Sequence, residues 1–164
     1  MKQKIRNLAL FAALTFGVIT AVPAFADEST PTAETPVVRE VLASSESAEA
    51  PGEELALVRY TIAPGAVLPV HTHPGVQMAS VESGTLTYHV VENGEVLVTR
   101  ADGTEESFGP GETVTFTVGD SWVEPEGMVH YAENLTDEPV VLISASLFAE
   151  GEPASTVVEA TPAP

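Results

Sequence analysis

The chain of 164 residues contains no cysteine. That excludes a disulfide framework, a thiolate metal ligand and a lipid-accepting cysteine behind an export signal, so a folded state must rest on a packed core. Basic residues are nearly as scarce: 6 Lys and Arg stand against 24 Asp and Glu, a formal net charge of −18. Such a surface repels nucleic acid and anionic membranes and favours solubility. A well-solvated exported or salt-adapted protein is the simplest account of it, and an acidic face for a cationic partner is the lesser alternative. A helical apolar period is missing from every stretch of useful length beyond the N-terminus. Histidine occurs only 4 times, which makes the placement of each one informative.

The N-terminus has the form of a secretory signal. Lys2, Lys4 and Arg6 precede an apolar run from Leu8 to Val22, and Ala24-Phe25-Ala26 supplies the small residues of a cleavage site. The run is short for a membrane span of about 20 residues, so residues 1–26 are expected to be removed, leaving a periplasmic or secreted protein without a membrane anchor. With three of the 6 basic residues gone and all 24 acidic ones retained, the net charge would move from −18 to −21. Residues 27–52, rich in Glu, Ser, Thr, Ala and Pro, read as an acidic disordered leader, with Val37 to Leu42 its one segment able to add an edge strand. Residues 151–164 read as a flexible tail.

Between these ends, residues 53–150 read as one all-β domain. Strand-like runs cover Leu55–Ile62, Gln77–Glu82, Thr85–Val91, Glu95–Arg100, Thr113–Val118, Met128–Leu135 and Val140–Phe148, and in Thr113–Val118 the apolar Val114, Phe116 and Val118 alternate with threonines. Turn signals separate the runs: Pro64-Gly65, Ser83-Gly84, Asn93-Gly94, Asp102-Gly103 and Gly119-Asp120. Short strands at this spacing make a sandwich or barrel, and Ser83-Gly84 predicts a hairpin.

Three of the four histidines lie in two glycine-framed segments. The first places Gly65, His71, His73, Gln77 and Gly84 in the pattern Gly-x5-His-x-His-x3-Gln-x6-Gly. The second places Gly119, Pro125, Gly127, His130 and Asn134 in Gly-x5-Pro-x-Gly-x2-His-x3-Asn. Alternate strand residues share a face, so His71 and His73 can point the same way, and His130 joins them if its strand lies nearby. Three imidazoles can hold a transition metal.

These segments resemble the two motifs of the cupin superfamily, over about residues 53–150. The resemblance implies a double-stranded β-helix, or jelly-roll barrel. It implies a divalent metal (Fe, Mn, Ni, Cu or Zn) on His71, His73 and His130. Where the family usually has Glu, this chain has Gln77. It is the expected fourth ligand through a neutral carbonyl oxygen, its other reading being a packing residue beside the ligands. Glu124, at a position more often apolar in the family, either faces solvent or turns inward to replace the missing carboxylate. It is the named candidate for a catalytic acid–base group, a tyrosine or bound water being the alternatives. Tyr88, Trp122 and Tyr131 are pocket walls or core, Met78 and Met128 are packing residues, and His89 lies off both motifs, on the surface. Gly84, Gly119 and Gly127 mark turns, and Asn134 is expected to bond a neighbouring loop.

By the same resemblance the protein is an exported metal-binding cupin acting on a small oxygenated metabolite, and if an enzyme, a metal-dependent dioxygenase, isomerase or lyase. A non-catalytic small-molecule or sugar-binding module is the alternative, and a barrel merely stapled by its metal a third. A homodimer paired through a strand such as Val140–Leu147 is a further implication.

Overall fold

Strict alternation along the strands sets the architecture. In Val140–Ala149 every second side chain, from Val140 to Phe148, is buried and the intervening ones are half-exposed, the signature of a strand with one face on a core. The computed structural model describes residues 36–159, so the expected signal segment 1–26 lies outside the described residues.

Every element among the described residues is a strand: β1 (Val37–Ser47), β2 (Ala50–Ile62), β3 (Val67–Thr72), β4 (Gly75–Ser83), β5 (Leu86–Glu92), β6 (Val96–Thr99), β7 (Glu105–Phe108), β8 (Thr113–Phe116), β9 (Ser121–Glu124), β10 (Val129–Glu133), β11 (Val140–Ala149) and β12 (Thr156–Val157). They form a seven-stranded sheet in the order β1-β2-β11-β4-β9-β6-β7 and a five-stranded sheet in the order β12-β3-β10-β5-β8. Ile62, Val81 and Trp122 of the first sheet share one core with Leu86, Tyr88 and Phe116 of the second. The jelly-roll architecture expected from the sequence is the one observed.

Several local expectations change. Ser83-Gly84 does not close a hairpin, because β4 pairs with β11 and β9 while β5 pairs with β10 and β8. The turn carries the chain from one sheet to the other. Gly84 makes this possible at φ +84°, where a Cβ would stand 2.7 Å from the Pro139 carbonyl oxygen. The leader expected to be disordered over 27–52 is strand from Val37, extending well beyond Leu42. β1 pairs with β2 from Val37↔Ile62 to Ser47↔Ala50, and backbone pairing of this kind is indifferent to a Ser- and Glu-rich composition. The tail expected to be flexible from 151 also contributes a strand, β12, which pairs with β3. Met128 is core, but Met78 is 52% exposed on the outer face of its sheet. Val140–Leu147 offers no free edge to a second barrel, since β2 and β4 flank β11 on either side.

Two polar residues tie the turns down. Asn134, fully buried, donates from Nδ2 to the carbonyls of Ile62, Ala63 and Glu138 at 3.2, 3.1 and 2.8 Å and accepts from the N–H of Thr136 at 3.1 Å. This is the loop clamp expected of it. Asp120 accepts the backbone N–H groups of Ala101 and Thr117 at 3.0 and 2.9 Å, and Arg100 Nη1 at 3.1 Å. Burial alone would raise the Asp120 carboxyl, but these donors hold it below the usual carboxylate range. A depressed folded-state pKa means stability that is present above the unfolded value of about 3.9 and is lost as pH falls through the folded one. Asp120→Ala should therefore cost about 2–4 kcal/mol in urea unfolding at pH 7. The gap from wild type should narrow below pH 4, and an equal gap at pH 7 and pH 3 would contradict this role.

Candidate metal centre

The two motif segments meet because β3 and β10 are antiparallel neighbours with His71 and His130 as direct cross-strand partners. His73 follows one residue after β3 ends. All three imidazoles are buried, with exposures of 8, 7 and 2% for His71, His73 and His130. Ring centroids lie 4.2 Å apart for His71–His130, 4.9 Å for His71–His73 and 5.1 Å for His73–His130. One nitrogen from each can be chosen so that all three lie within 4.8 Å of one another. The structure thus brings together the three histidines expected from the sequence.

Their tautomers follow from the backbone. His71 Nδ1 stands 2.7 Å from the Pro69 carbonyl and His130 Nδ1 stands 3.2 Å from the Met128 carbonyl, in each case two residues back along the same chain. His73 Nδ1 stands 2.6 Å from the carbonyl of Ala154 in the C-terminal segment. A carbonyl can only accept, so each neutral ring carries its proton on Nδ1 and keeps its Nε2 lone pair free. Further contacts fix the ring planes: His73 stacks on Phe148 at 5.4 Å and His130 on Tyr88 at 5.1 Å. The part played by Ala154 has no side-chain signal and was not legible in the sequence.

Glu124 turns inward. It is 2% exposed, and its Oε2 lies 3.3 Å from His73 Nε2 and 3.6 Å from His130 Nε2. Strand parity gives the reason: Glu124 shares a face with Trp122, two residues earlier, and that indole belongs in the core. Trp122 Nε1 and the Tyr88 hydroxyl donate to Glu124 Oε1 at 2.7 and 3.0 Å, so both aromatic residues serve as core and as site wall. Gln77 also reaches the site, its Nε2 lying 3.0 Å from Glu124 Oε2 and 3.3 Å from His73 Nε2. Gln77 Oε1 is buried without a hydrogen-bond partner. Tyr131 and His89 lie apart from this cluster and stack on each other at 4.1 Å, with His89 Nε2 3.1 Å from Glu133.

The electrostatics are those of a cation site. Burial, with His130 alongside, pushes His71 down to about 4. Burial likewise lowers His130. For His73 burial also acts downward, but the adjoining Glu124 carboxylate outweighs it and raises the imidazole. For Glu124 burial acts upward, yet the His130 and His73 imidazoles and the Trp122 N–H hold the carboxyl well below the usual carboxylate range. Tyr88 is pushed well above its ordinary value by burial and by Glu124. No Lys or Arg forms an ion pair with Glu124 among the described residues. An ionised carboxylate buried without a cation costs several kcal/mol. Three unprotonated Nε2 atoms and that carboxylate together fit a divalent metal.

The site opens into a cavity of about 230 Å³ walled by Leu68, Leu86, Ala132 and Leu142, with Arg39 and Tyr60 also lining it.

The Cupin family model matches residues 31–158, a wider span than the 53–150 over which the motifs and strands were read. The chain is 32% identical over 92 residues to Germin-like protein 5-1 of Oryza sativa subsp. japonica, which covers 56% of this chain and 35% of that protein. It is 30% identical over 92 residues to Nectarin-1 of Nicotiana plumbaginifolia, covering 56% and 34%. The chain thus spans little more than a third of the length of these curated relatives. Among solved structures, a double-stranded β-helix protein from Klebsiella pneumoniae superposes with a TM-score of 0.46 at 21% identity, covering 77% of this chain and 88% of that one. Oxalate oxidase in complex with the substrate analogue glycolate gives a TM-score of 0.47 at 21% identity, covering 79% and 57%.

Proposed function

The chain belongs to the cupin family, and from that premise we propose that it is an exported, metal-dependent cupin that binds a small oxygenated metabolite at the His71, His73 and His130 centre and transforms it there. The observation that carries this reading is the convergence of three buried imidazoles, each with Nδ1 against a backbone carbonyl and Nε2 turned to the others. A bound divalent ion would supply Lewis acidity toward an oxygen of the ligand. The ligand types suit Mn, Fe, Ni, Cu or Zn. Export rests on the signal-like residues 1–26.

The cavity supports a small ligand, since its volume of about 230 Å³ falls below the range of roughly 300–1,000 Å³ usual for drug-sized molecules. Its apolar walls exclude water from the ligand's carbon skeleton, while polar recognition, Ser144 and Ser155 apart, comes from two places. One is the histidine cluster. The other is Arg39, whose Nε donates to the Tyr60 hydroxyl at 3.3 Å. Arg59 and Arg100 each pair with carboxylates, whereas Arg39 has no such partner among the described residues. A guanidinium at the cavity without a carboxylate partner among the described residues supports a ligand bearing oxygen and negative charge.

A second reading, binding without turnover, is favoured by the state of Glu124. Both of its oxygens accept hydrogen bonds, so no uncommitted base faces the ligand. One experiment separates the two. Manganese- or iron-loaded protein is offered small hydroxy- and keto-carboxylates, with binding followed by calorimetry and product by NMR, against a His71→Ala control. Metal-dependent consumption of one of them supports catalysis, and binding without chemical change supports the module. Absence of any metal-dependent binding would contradict the proposal.

A further inference from the structure

Gln77 and Glu124 are direct cross-strand partners on β4 and β9. Their side chains leave the sheet side by side toward the interior, where Gln77 Nε2 donates to Glu124 Oε2 at 3.0 Å. The two oxygens of Glu124 differ in their surroundings. Oε1 is anchored to the barrel wall by the Trp122 indole at 2.7 Å and the Tyr88 hydroxyl at 3.0 Å. Oε2 is turned to the imidazoles, 3.3 Å from His73 Nε2 and 3.6 Å from His130 Nε2. Two donors sharing one tetrahedral ion at about 2.1 Å each stand about 3.4 Å apart. The two observed spacings bracket that separation.

Gln77 is placed differently. The atom it brings toward His73 and Glu124 is the amide nitrogen, a donor that cannot ligate a cation. Three neutral imidazoles leave the charge of a divalent ion uncompensated, and the buried carboxylate beside them lacks a cation. Each need answers the other.

We propose that Glu124 is the anionic ligand of the metal centre and that Gln77, the fourth ligand expected from the sequence, is instead the positioning residue that holds Glu124 Oε2 against the histidines. This rests on the three-histidine metal centre proposed above. The acid at the site is thus supplied from β9 and steadied from β4.

The test is zinc affinity, measured by competition with a chromophoric chelator, for the wild type, Glu124→Gln, the exchanged pair Gln77→Glu/Glu124→Gln, and His71→Ala/His73→Ala. Glu124→Gln keeps the shape and the Oε1 acceptor for Trp122 and Tyr88 but removes the charge. It should weaken zinc binding about tenfold or more, and the exchanged pair, which restores one carboxylate to the same cross-strand position, should recover most of the loss. Wild-type affinity in Glu124→Gln, with binding lost in the histidine variant, would overturn the assignment and leave the three-histidine centre standing. A wild type that binds no zinc would overturn both. Should Glu124→Gln fail to fold, the wild type alone still decides. Trp122 is the single tryptophan, and its indole N–H resonance, bonded to Glu124, should shift and saturate at one zinc per chain. An indole resonance unmoved by saturating zinc would overturn the assignment.

Discussion

Replacing His130 by Ala should lower zinc affinity by at least about 100-fold while leaving a folded barrel. Loss of a group that merely orients a metal ligand typically costs about 10- to 100-fold, and His130 is itself placed as a ligand. Its ring faces His71 directly across β3 and β10, at 4.2 Å between centroids, and lies 3.6 Å from Glu124 Oε2. The removed side chain is nearly fully buried and stacks on Tyr88, so some stability will be lost with it. Most of the core around it, from Ile62 to Leu142, is untouched. Circular dichroism would establish folding and chelator competition the affinity. A folded His130→Ala protein that binds zinc as the wild type does would remove β10 from the site.

The second large effect concerns the C-terminal segment. Ending the chain at Gly151 removes the Ala154 carbonyl that holds His73 Nδ1 at 2.6 Å, together with the pairings Thr156↔Thr72 and Val157↔His71. It also removes the bond from Val158 N–H to the Val70 carbonyl at 3.0 Å. The histidine then loses the contact that fixes its tautomer and ring orientation, and zinc affinity should fall by about 10- to 100-fold. The barrel itself should persist, because β12 is a two-residue strand at the edge of its sheet with both residues exposed. Unchanged affinity in the truncated protein would show that His73 is oriented by its own segment and by Phe148 alone.

The histidines were legible because glycines and a proline frame them at fixed spacing, and such residues mark backbone positions that set register. The strand runs were legible because turn residues bound them at short spacing, and in Thr113–Val118 because alternation is itself the physical requirement of a half-buried strand. What escaped depends on contacts between segments far apart in the chain. Val37 to Leu42 carries the apolar signal of an edge strand, but the rest of β1 and all of β12 have compositions typical of disordered polypeptide and are ordered by backbone pairing with β2 and β3. The turn at Ser83-Gly84 has the local chemistry of a hairpin, and only the pairing of β4 with β11 and β9 shows that it crosses between sheets. Glu124 was legible in principle through its parity with Trp122. The direction of the Gln77 amide was not, because it depends on a partner 47 residues away.

Every metal-binding expectation above rests on the proposal that His71, His73 and His130 form one metal centre. Elemental analysis of the purified protein after reconstitution with Mn, Fe, Ni, Cu or Zn, beside a His71→Ala/His73→Ala control, tests it most directly. One transition-metal ion per wild-type chain and none held by the folded control is the expected result. Equal metal in both proteins, or none in the wild type, would contradict it.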